Sequence, residues 1–417
     1  MNVSIITIGD ELLIGQVIDT NSAWMAQELN KNGFSVKRRI AVGDVWNDIW
    51  TALDEEQQHC NIILITGGLG PTADDITKPL LCKYFNGKLV VNEEALANVR
   101  HLFEKVFKKE LTPRNIKQAE VPDSCTVLQN SQGTAPGMLF EKDKKIIVSM
   151  PGVPHEMQAM MQKSVIPYLK QHFRSTEIHH RTLLTAGIGE SSLADLIEDF
   201  ENSLPASIKL AYLPNYGMVR LRLSASSNNS AIEKELDDFF VTLQELTARY
   251  LVSNVDEPLE ETLGKLLLAR QQSISTAESC TGGLIAHLLT SIPGSSAYFK
   301  GGIVSYANEI KTKLLDVPET VLEEQGAVSE AVVLQMVKAA LQQMDTHYAL
   351  AVSGIMGPDG GSAEKPVGTV WIAVGNRQKQ IAQKFHFRFN RQRNTQLTAI
   401  NALNMMRKFI LDCNAGA

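Results

Sequence analysis

Short apolar runs alternate along this chain with longer stretches whose apolar residues recur every three or four positions, the pattern of strands interleaved with covering helices. Met1–Ile8 reads as a strand; it is followed by the turn Gly9-Asp10-Glu11-Leu12-Leu13-Ile14-Gly15 and an amphipathic helix over Ser22–Leu29. Ile62-Ile63-Leu64-Ile65 is apolar at every position. A strand exposed on one side would alternate, so this run predicts a parallel sheet covered on both faces. The middle of the chain predicts a strand (Arg181–Ala186), a helix (Ser191–Phe200), two strands (Lys209–Leu213 and Met218–Ala225) and a long helix (Ala231–Tyr250), enough for a small α+β module. The acidic, proline-ended Ser253–Pro258 is the expected linker to the C-terminal region. In that region an apolar helical run (Leu284, Ile285, Leu288, Leu289), a β-rich run into Ser305 and the strands Tyr348–Val352 and Lys365–Val374 predict a further α/β fold.

A length of 417 residues exceeds what one core holds and implies about three domains. Net charge is −6, which removes any global electrostatic case for binding nucleic acid. The basic cluster Lys105–Lys109, with Phe103 and Phe107 between its charges, reads as the solvated face of an amphipathic helix. Five cysteines, an odd number without a Cys-x-x-Cys pair, argue against a disulfide framework and imply a reducing, cytoplasmic setting. The opening residues lack the basic segment of a signal peptide, and no apolar stretch approaches membrane-spanning length. His179 and His180 are adjacent on a predicted strand, so they face opposite ways and cannot chelate one ion together.

The densest chemistry lies in Thr276-Ala277-Glu278-Ser279-Cys280-Thr281-Gly282-Gly283. Ser279 falls at a strand-to-helix turn, where a hydroxyl can face a ligand while backbone amides point at an anion. Its competing role is to cap the helix. Further on, Gly301–Lys311 places Tyr306 and Lys311 at a strand-to-helix junction, and a desolvated lysine can act as base for a serine. Val352-Ser353-Gly354-Ile355-Met356-Gly357-Pro358-Asp359-Gly360-Gly361 is a glycine-dense loop after a strand, placed to bring backbone close to a ligand. Cys280, beside Ser279, is the alternative nucleophile, but no histidine stands where it could activate it.

From about Leu259 to Ile410 these motifs, in this order, resemble the C-terminal domain of the CinA family (competence/damage-inducible protein A), whose stand-alone relatives deamidate nicotinamide mononucleotide. The resemblance implies Ser279 as nucleophile, Lys311 as proton acceptor and Tyr306 as a helper. It also implies substrate contacts at Thr281, Gly282, Gly283, Gly354 and Gly357. The family has an arginine after its last strand in a Gly-Asp-Arg context. Here the region reads Phe389-Asn390-Arg391-Gln392-Arg393-Asn394, and spacing favours Arg393, with Arg391 the alternative. An arginine fork suits the 5′-phosphate of a mononucleotide.

In the N-terminal half, the apolar strand runs into Thr66-Gly67-Gly68-Leu69-Gly70-Pro71-Thr72-Ala73-Asp74-Asp75. Glycines at the carboxyl end of a strand are placed to cradle phosphate, although the spacing is neither a Walker A loop nor a dinucleotide fingerprint. With Gly133-Thr134-Ala135-Pro136-Gly137 and Met150-Pro151-Gly152-Val153-Pro154-His155-Glu156-Met157, this loop resembles the molybdopterin-binding domain of molybdenum-cofactor biosynthesis proteins, which comes first in the CinA family. The resemblance implies an ADP-ribose pyrophosphatase using a divalent metal (Mg, Mn or Co). Gly67, Gly68, Gly70 and Thr72 would bind substrate, and Asp74, Asp75 and Glu156 the metal, with Asp10, Glu11 and Asp44 as further carboxylates. The competing role of Asp74 and Asp75 is to cap and complement a helix start.

The expected architecture is therefore α/β in three domains: a doubly wound, molybdopterin-binding-like domain (1–170), a KH-like α+β connecting domain (171–255) and an α/β deamidase domain (256–417). Gly187-Ile188-Gly189-Glu190 lacks the basic Gly-x-x-Gly clamp of a nucleic-acid-binding KH module, so a spacer or dimerisation role is expected there. Expected partners are small-molecule nucleotides and a second copy of the chain, with neither membrane nor nucleic acid. Two other classes stay open: a pterin- or nucleotide-binding protein with an inactive N-terminal site, and a recruiting factor in DNA uptake or repair.

Overall fold

A computed structural model of the chain describes residues 2–72, 74–173, 178–226 and 230–413, so Met1 and Ala73 of the glycine loop lie outside the description. The chain gathers into two compact units, one essentially Met1–Ile178 and the other His179–Ala225 with Asn229–Ala417.

In the first unit the strands are β1 (Asn2–Ile8), β2 (Ser35–Val42), β3 (Ile62–Thr66), a small pair β4 (Leu89–Val91) and β5 (Glu120–Pro122), and then β6 (Thr126–Leu128), β7 (Gly137–Lys142) and β8 (Lys145–Met150). The main sheet runs β2-β1-β3-β8-β7-β6. Its first four strands are parallel, while β7 and β6 are antiparallel. Ile62 and Leu64 enter one core with Val3, Ile5, Met25 and Leu29, whereas Ile63 and Ile65 enter another with Ile6, Ile49, Leu53 and Leu80. That explains the uninterrupted apolar run: helices Thr20–Lys31 and Pro154–Met160 cover one face, helices Trp46–His59 and Thr77–Tyr84 the other.

The second unit opens with β9 (Ile178–Ala186), β10 (Ile208–Asn215), β11 (Met218–Ser226) and β12 (Leu251–Ser253), ordered β10-β11-β9-β12. The helix expected over Ser191–Phe200 is two pieces, Glu190–Leu196 and Glu198–Ser203. They meet at Ile197, which leaves helical geometry and buries its side chain with Leu193 and Phe200. Tertiary packing here overrides a continuous helical pattern. The unit's larger sheet comprises β13 (Ile274–Glu278), β14 (Phe299–Val304), β15 (Tyr348–Gly354), β16 (Thr369–Gly375) and β17 (Gln380–His386), ordered β14-β13-β15-β16-β17. The first three are parallel and the last two antiparallel.

The expected linker is ordered structure. Ser253 ends β12, and the buried Glu257 carboxylate accepts hydrogen bonds from Ser253 Oγ (3.1 Å) and Thr262 Oγ1 (2.8 Å) and pairs with Lys265. Leu184, Ala186, Met218 and Val252 of the smaller sheet share one core with Leu259, Leu263, Leu267 and Phe409. A fragment beginning at Leu259 therefore exposes apolar surface that the smaller sheet covers. At about 1.5–3 kcal/mol per buried aliphatic side chain, it is expected to fold but to melt roughly 5–10 °C below the full chain. Thermal melting of the two polypeptides checks this, and equal melting temperatures would show the shared core to be energetically idle.

Among the described residues no helix is long and apolar enough to cross a membrane. All five cysteines are free.

Candidate functional sites

Ser279 follows β13 directly, Ser305 and Tyr306 follow β14, and the glycine-dense loop follows β15, so three parallel strands deliver their carboxyl ends to one place. Ligands of open α/β sheets bind at such ends. Ser279 is 8% exposed, and its amide is fixed by the Val352 carbonyl at 3.1 Å. Lys311, on helix Asn308–Leu315, is 1% exposed and donates from Nζ to Ser279 Oγ at 2.9 Å and to the Ser305 carbonyl at 2.7 Å. Burial pushes this amine below the usual lysine range, against an opposing influence from Cys280. A neutral amine, uncompensated by a carboxylate and hydrogen-bonded to a hydroxyl, is the form that can accept that hydroxyl's proton. Burial pushes the Cys280 thiol up to about 12, which keeps it protonated and removes it as a nucleophile.

The glycines behind Ser279 do not act as expected. The Glu278 carboxylate, fully buried, accepts from Thr281 Oγ1 (2.6 Å), Gly283 N (3.1 Å), Ile285 N (3.0 Å) and Ala286 N (2.8 Å). Gly282 N is spent on the Ser279 carbonyl at 3.2 Å. The positive end of helix Leu284–Thr290 is thus satisfied from within, and neither Gly282 nor Gly283 offers its amide to a phosphate. Cys280 and Thr281 are the residues of this turn whose amides make no hydrogen bond to another described residue. Glu278 stood in the motif without an assigned role; an acid just ahead of a helix start was the available clue.

Arg391, rather than the spacing-favoured Arg393, reaches the site. Its guanidinium donates to the Gly357 carbonyl (2.7 Å) and to Tyr306 Oη (2.6 Å). Arg393 lies over the Phe389 ring, 3.9 Å from its centroid, at a cavity lined also by Pro214, Asn215 and Tyr216. The difference arises because Asn390 caps helix Arg391–Asp412, so the first helical residue faces the β15 loop and the third turns away. Asn394, fully buried, holds the two elements together by donating to the Met356 and Phe389 carbonyls at 3.1 and 2.9 Å. Gly354, at the end of β15, packs against Val370 and Met356 and takes no part in the Arg391 contacts.

The N-terminal motifs also converge on strand ends. A cavity of about 390 Å³ is lined by Gly67, Gly68 and Gly70, by Asp74 and Asp75, by Glu11 and Asp44, and by Glu156. At Gly67, φ is +115° and a Cβ would collide with the Ile8 carbonyl oxygen, so only glycine lets the β1 and β3 ends approach so closely. Asp75 does not project into this space as a free ligand. Its oxygens accept from Gly70 N (2.7 Å) and Thr72 N (2.8 Å), and from Thr72 Oγ1, which fixes the loop and consumes those amides. Glu156 is held by Asn130 Nδ2 at 2.7 Å, packed where a side chain at Gly133 would sit. Asp74 is exposed, and the neighbouring Thr72 hydroxyl holds its carboxyl below the usual range. Burial raises the Asp44 carboxyl, as do the neighbouring Asp10, Glu11 and Asp74 charges, against a lowering backbone hydrogen bond from Asp10. Among the described residues no three His, Cys, Asp or Glu side chains are grouped so as to hold an ion.

A doubly wound N-terminal domain, a small α+β domain and a C-terminal α/β domain with a serine and a buried lysine at its strand ends define the class. The chain matches the probable molybdopterin binding domain over residues 4–171, the damage-inducible protein CinA KH domain over 180–252 and the CinA C-terminal domain over 256–410. It is 43% identical to a CinA-like protein of Cytophaga hutchinsonii, covering 97% of each chain, and 44% identical to one of Flavobacterium psychrophilum, covering 99% of each. The chain belongs to the CinA family. Among solved structures, competence/damage inducible protein CihA from Agrobacterium tumefaciens is 38% identical over 37% of this chain and 98% of its own, with a TM-score of 0.35.

Proposed function

We propose that the chain is a bifunctional hydrolase of pyridine-nucleotide breakdown products: it deamidates nicotinamide mononucleotide to nicotinate mononucleotide and ammonia, and it hydrolyses the pyrophosphate of ADP-ribose. The observation that carries the first activity is the buried Lys311 amine 2.9 Å from Ser279 Oγ. Neutral Lys311 takes the serine proton as Oγ attacks the carboxamide carbon. The C–N bond then breaks, ammonia leaves with the proton that Lys311 returns, and water, deprotonated by the same amine, cleaves the ester to release the acid and restore Ser279. The uncommitted amides of Cys280 and Thr281 are the groups available to the developing oxyanion. A guanidinium carries five N–H donors and Arg391 spends two, which leaves others for the 5′-phosphate.

The sign of the pH dependence follows from Lys311. Its base form is the neutral amine and burial lowers its pKa, so deamidation rises with pH along a limb centred below the ordinary lysine value of 10.5. A rate–pH profile checks this: the limb should vanish in Lys311→Met, and a limb unchanged in that variant would assign the titration elsewhere.

The second activity rests on the loop cavity. Asp10, Glu11 and Asp74 crowd Asp44 with like charge, and carboxylates are hard oxygen donors that suit Mg²⁺, Mn²⁺ or Co²⁺. Asp44, with either Glu11 or Asp74, would hold the ion and Asp75 would shape the loop, while substrate phosphate oxygens and water would complete a shell that needs only one or two carboxylates. Such an ion neutralises phosphate charge and activates water. The amides of Gly68 and Leu69, which bond no other described residue, are placed to receive phosphate oxygens. A binding module without turnover is the second reading, favoured by the lack of a three-ligand group among the described residues. Ammonia release and ADP-ribose hydrolysis, assayed side by side on the purified chain, decide between them. A homodimer in a reducing, cytoplasmic setting completes the proposal, and gel filtration tests the dimer.

A further inference from the structure

Gln118 is 5% exposed, lines the N-terminal cavity and has a side-chain carbonyl oxygen without a hydrogen-bond partner. It sits on the short turn Lys117–Ala119 that leads into β5. Buried Lys78 grips this turn, donating from Nζ to the main-chain carbonyls of Gln118 at 3.0 Å and Lys117 at 3.4 Å. The backbone of this turn is therefore anchored at the cavity wall. A buried acceptor left unpaired is unfavourable, and native chains rarely retain one without a reason. Thr77 Oγ1 is another orphan nearby, but it lies directly beneath Gly68 and is not part of the cavity wall, so its loss is a packing matter.

We propose that Gln118 is a specificity-determining residue that reads the base of the nucleotide bound in the N-terminal cavity, accepting a hydrogen bond from an exocyclic amine. This rests on the pyrophosphatase reading of the same cavity and adds to it which end of the substrate is recognised and how. The cavity's apolar lining (Ile8, Leu69, Ala135, Val153) suits the faces of a planar base, and its glycine loop and carboxylates suit the charged phosphates and their cation. Within such walls a primary amide is the side chain that matches the amine and ring nitrogen of adenine, offering an acceptor and a donor side by side. A base without the amine leaves the Gln118 oxygen as unpaired as it is now, so discrimination comes from an avoided penalty as well as a gained bond.

The test compares ADP-ribose with its analogue lacking the 6-amino group, using the full chain and Gln118→Leu. Wild type is expected to show a KM about 10–100-fold higher for the analogue with kcat little changed. Gln118→Leu should raise the ADP-ribose KM to the analogue's level and bring the two substrates within about 2-fold. Because leucine removes a buried orphan, the variant should melt no lower than wild type, and its deamidase activity should be intact. With saturating ADP-ribose and no metal, wild type should gain more in melting temperature than the variant. Equal handling of the two nucleotides by wild type, or discrimination that survives in Gln118→Leu, overturns the assignment and leaves the pyrophosphatase reading standing. If neither nucleotide is hydrolysed nor shifts the melt, that reading fails and this one with it.

Discussion

Ser279→Ala is expected to lower ammonia release from nicotinamide mononucleotide by about 10⁴-fold or more and to leave ADP-ribose hydrolysis at the wild-type rate. The size follows from the geometry: Ser279 Oγ is the acceptor of the Lys311 amine, so without it no covalent step is open. Lys311→Ala should cost nearly as much, and the double variant little more, because residues that act as one unit do not lose activity additively. Lys311 is fully buried, so each variant needs a melting curve to show that it folds. Additive losses would mean separate roles for the two side chains. Wild-type deamidation by the alanine variant would remove Ser279 from the mechanism, and Cys280, whose thiol stays protonated, offers no ready replacement.

Chelation is expected to divide the two proposed activities. EDTA is expected to abolish ADP-ribose hydrolysis, with recovery on adding Mg²⁺, Mn²⁺ or Co²⁺, and to leave deamidation within about 2-fold of its starting rate. The serine, lysine, tyrosine and arginine gathered at the ends of β13, β14 and β15 are not hard-cation ligands, whereas the N-terminal cavity offers carboxylates at Glu11, Asp44 and Asp74. Asp44→Asn should mimic the chelator at the N-terminal cavity, while Asp75→Asn should act more broadly by loosening the loop that its carboxylate ties. Metal-dependent ammonia release would break this division, and chelator-resistant ADP-ribose hydrolysis would remove the ion from the N-terminal proposal.

Sequence periodicity carried the sheets well, and the family resemblance supplied the order of domains. The apolar run Ile62–Ile65 could be read because each residue is buried, alternately against one core or the other. The pairing of Ser279 with Lys311 was approachable for a related reason: each lies at the junction where a parallel strand gives way to a helix, and neighbouring parallel strands bring their carboxyl ends together. Spacing could not reveal which amides are spent internally. Whether Gly283 N points at a ligand or at Glu278 depends on a side-chain rotamer, and whether Asp75 faces the cavity or its own loop depends on a turn. The choice between Arg391 and Arg393 turned on where Asn390 begins a helix, a shift smaller than pattern reading resolves. Gln118 and Asn394 were invisible, since an orphaned acceptor and a bond across 38 residues are tertiary facts. The break at Ile197 and the ordering of Glu257 are likewise set by packing that local composition does not record.

The most direct measurement is the stoichiometry of products when the purified chain meets nicotinamide mononucleotide in the presence of EDTA. The expected result is one ammonia for each nicotinate mononucleotide formed, at a rate that rises with pH below the ordinary lysine range. No ammonia from a chain that melts cooperatively would contradict the assignment of Ser279 and Lys311 to amide hydrolysis.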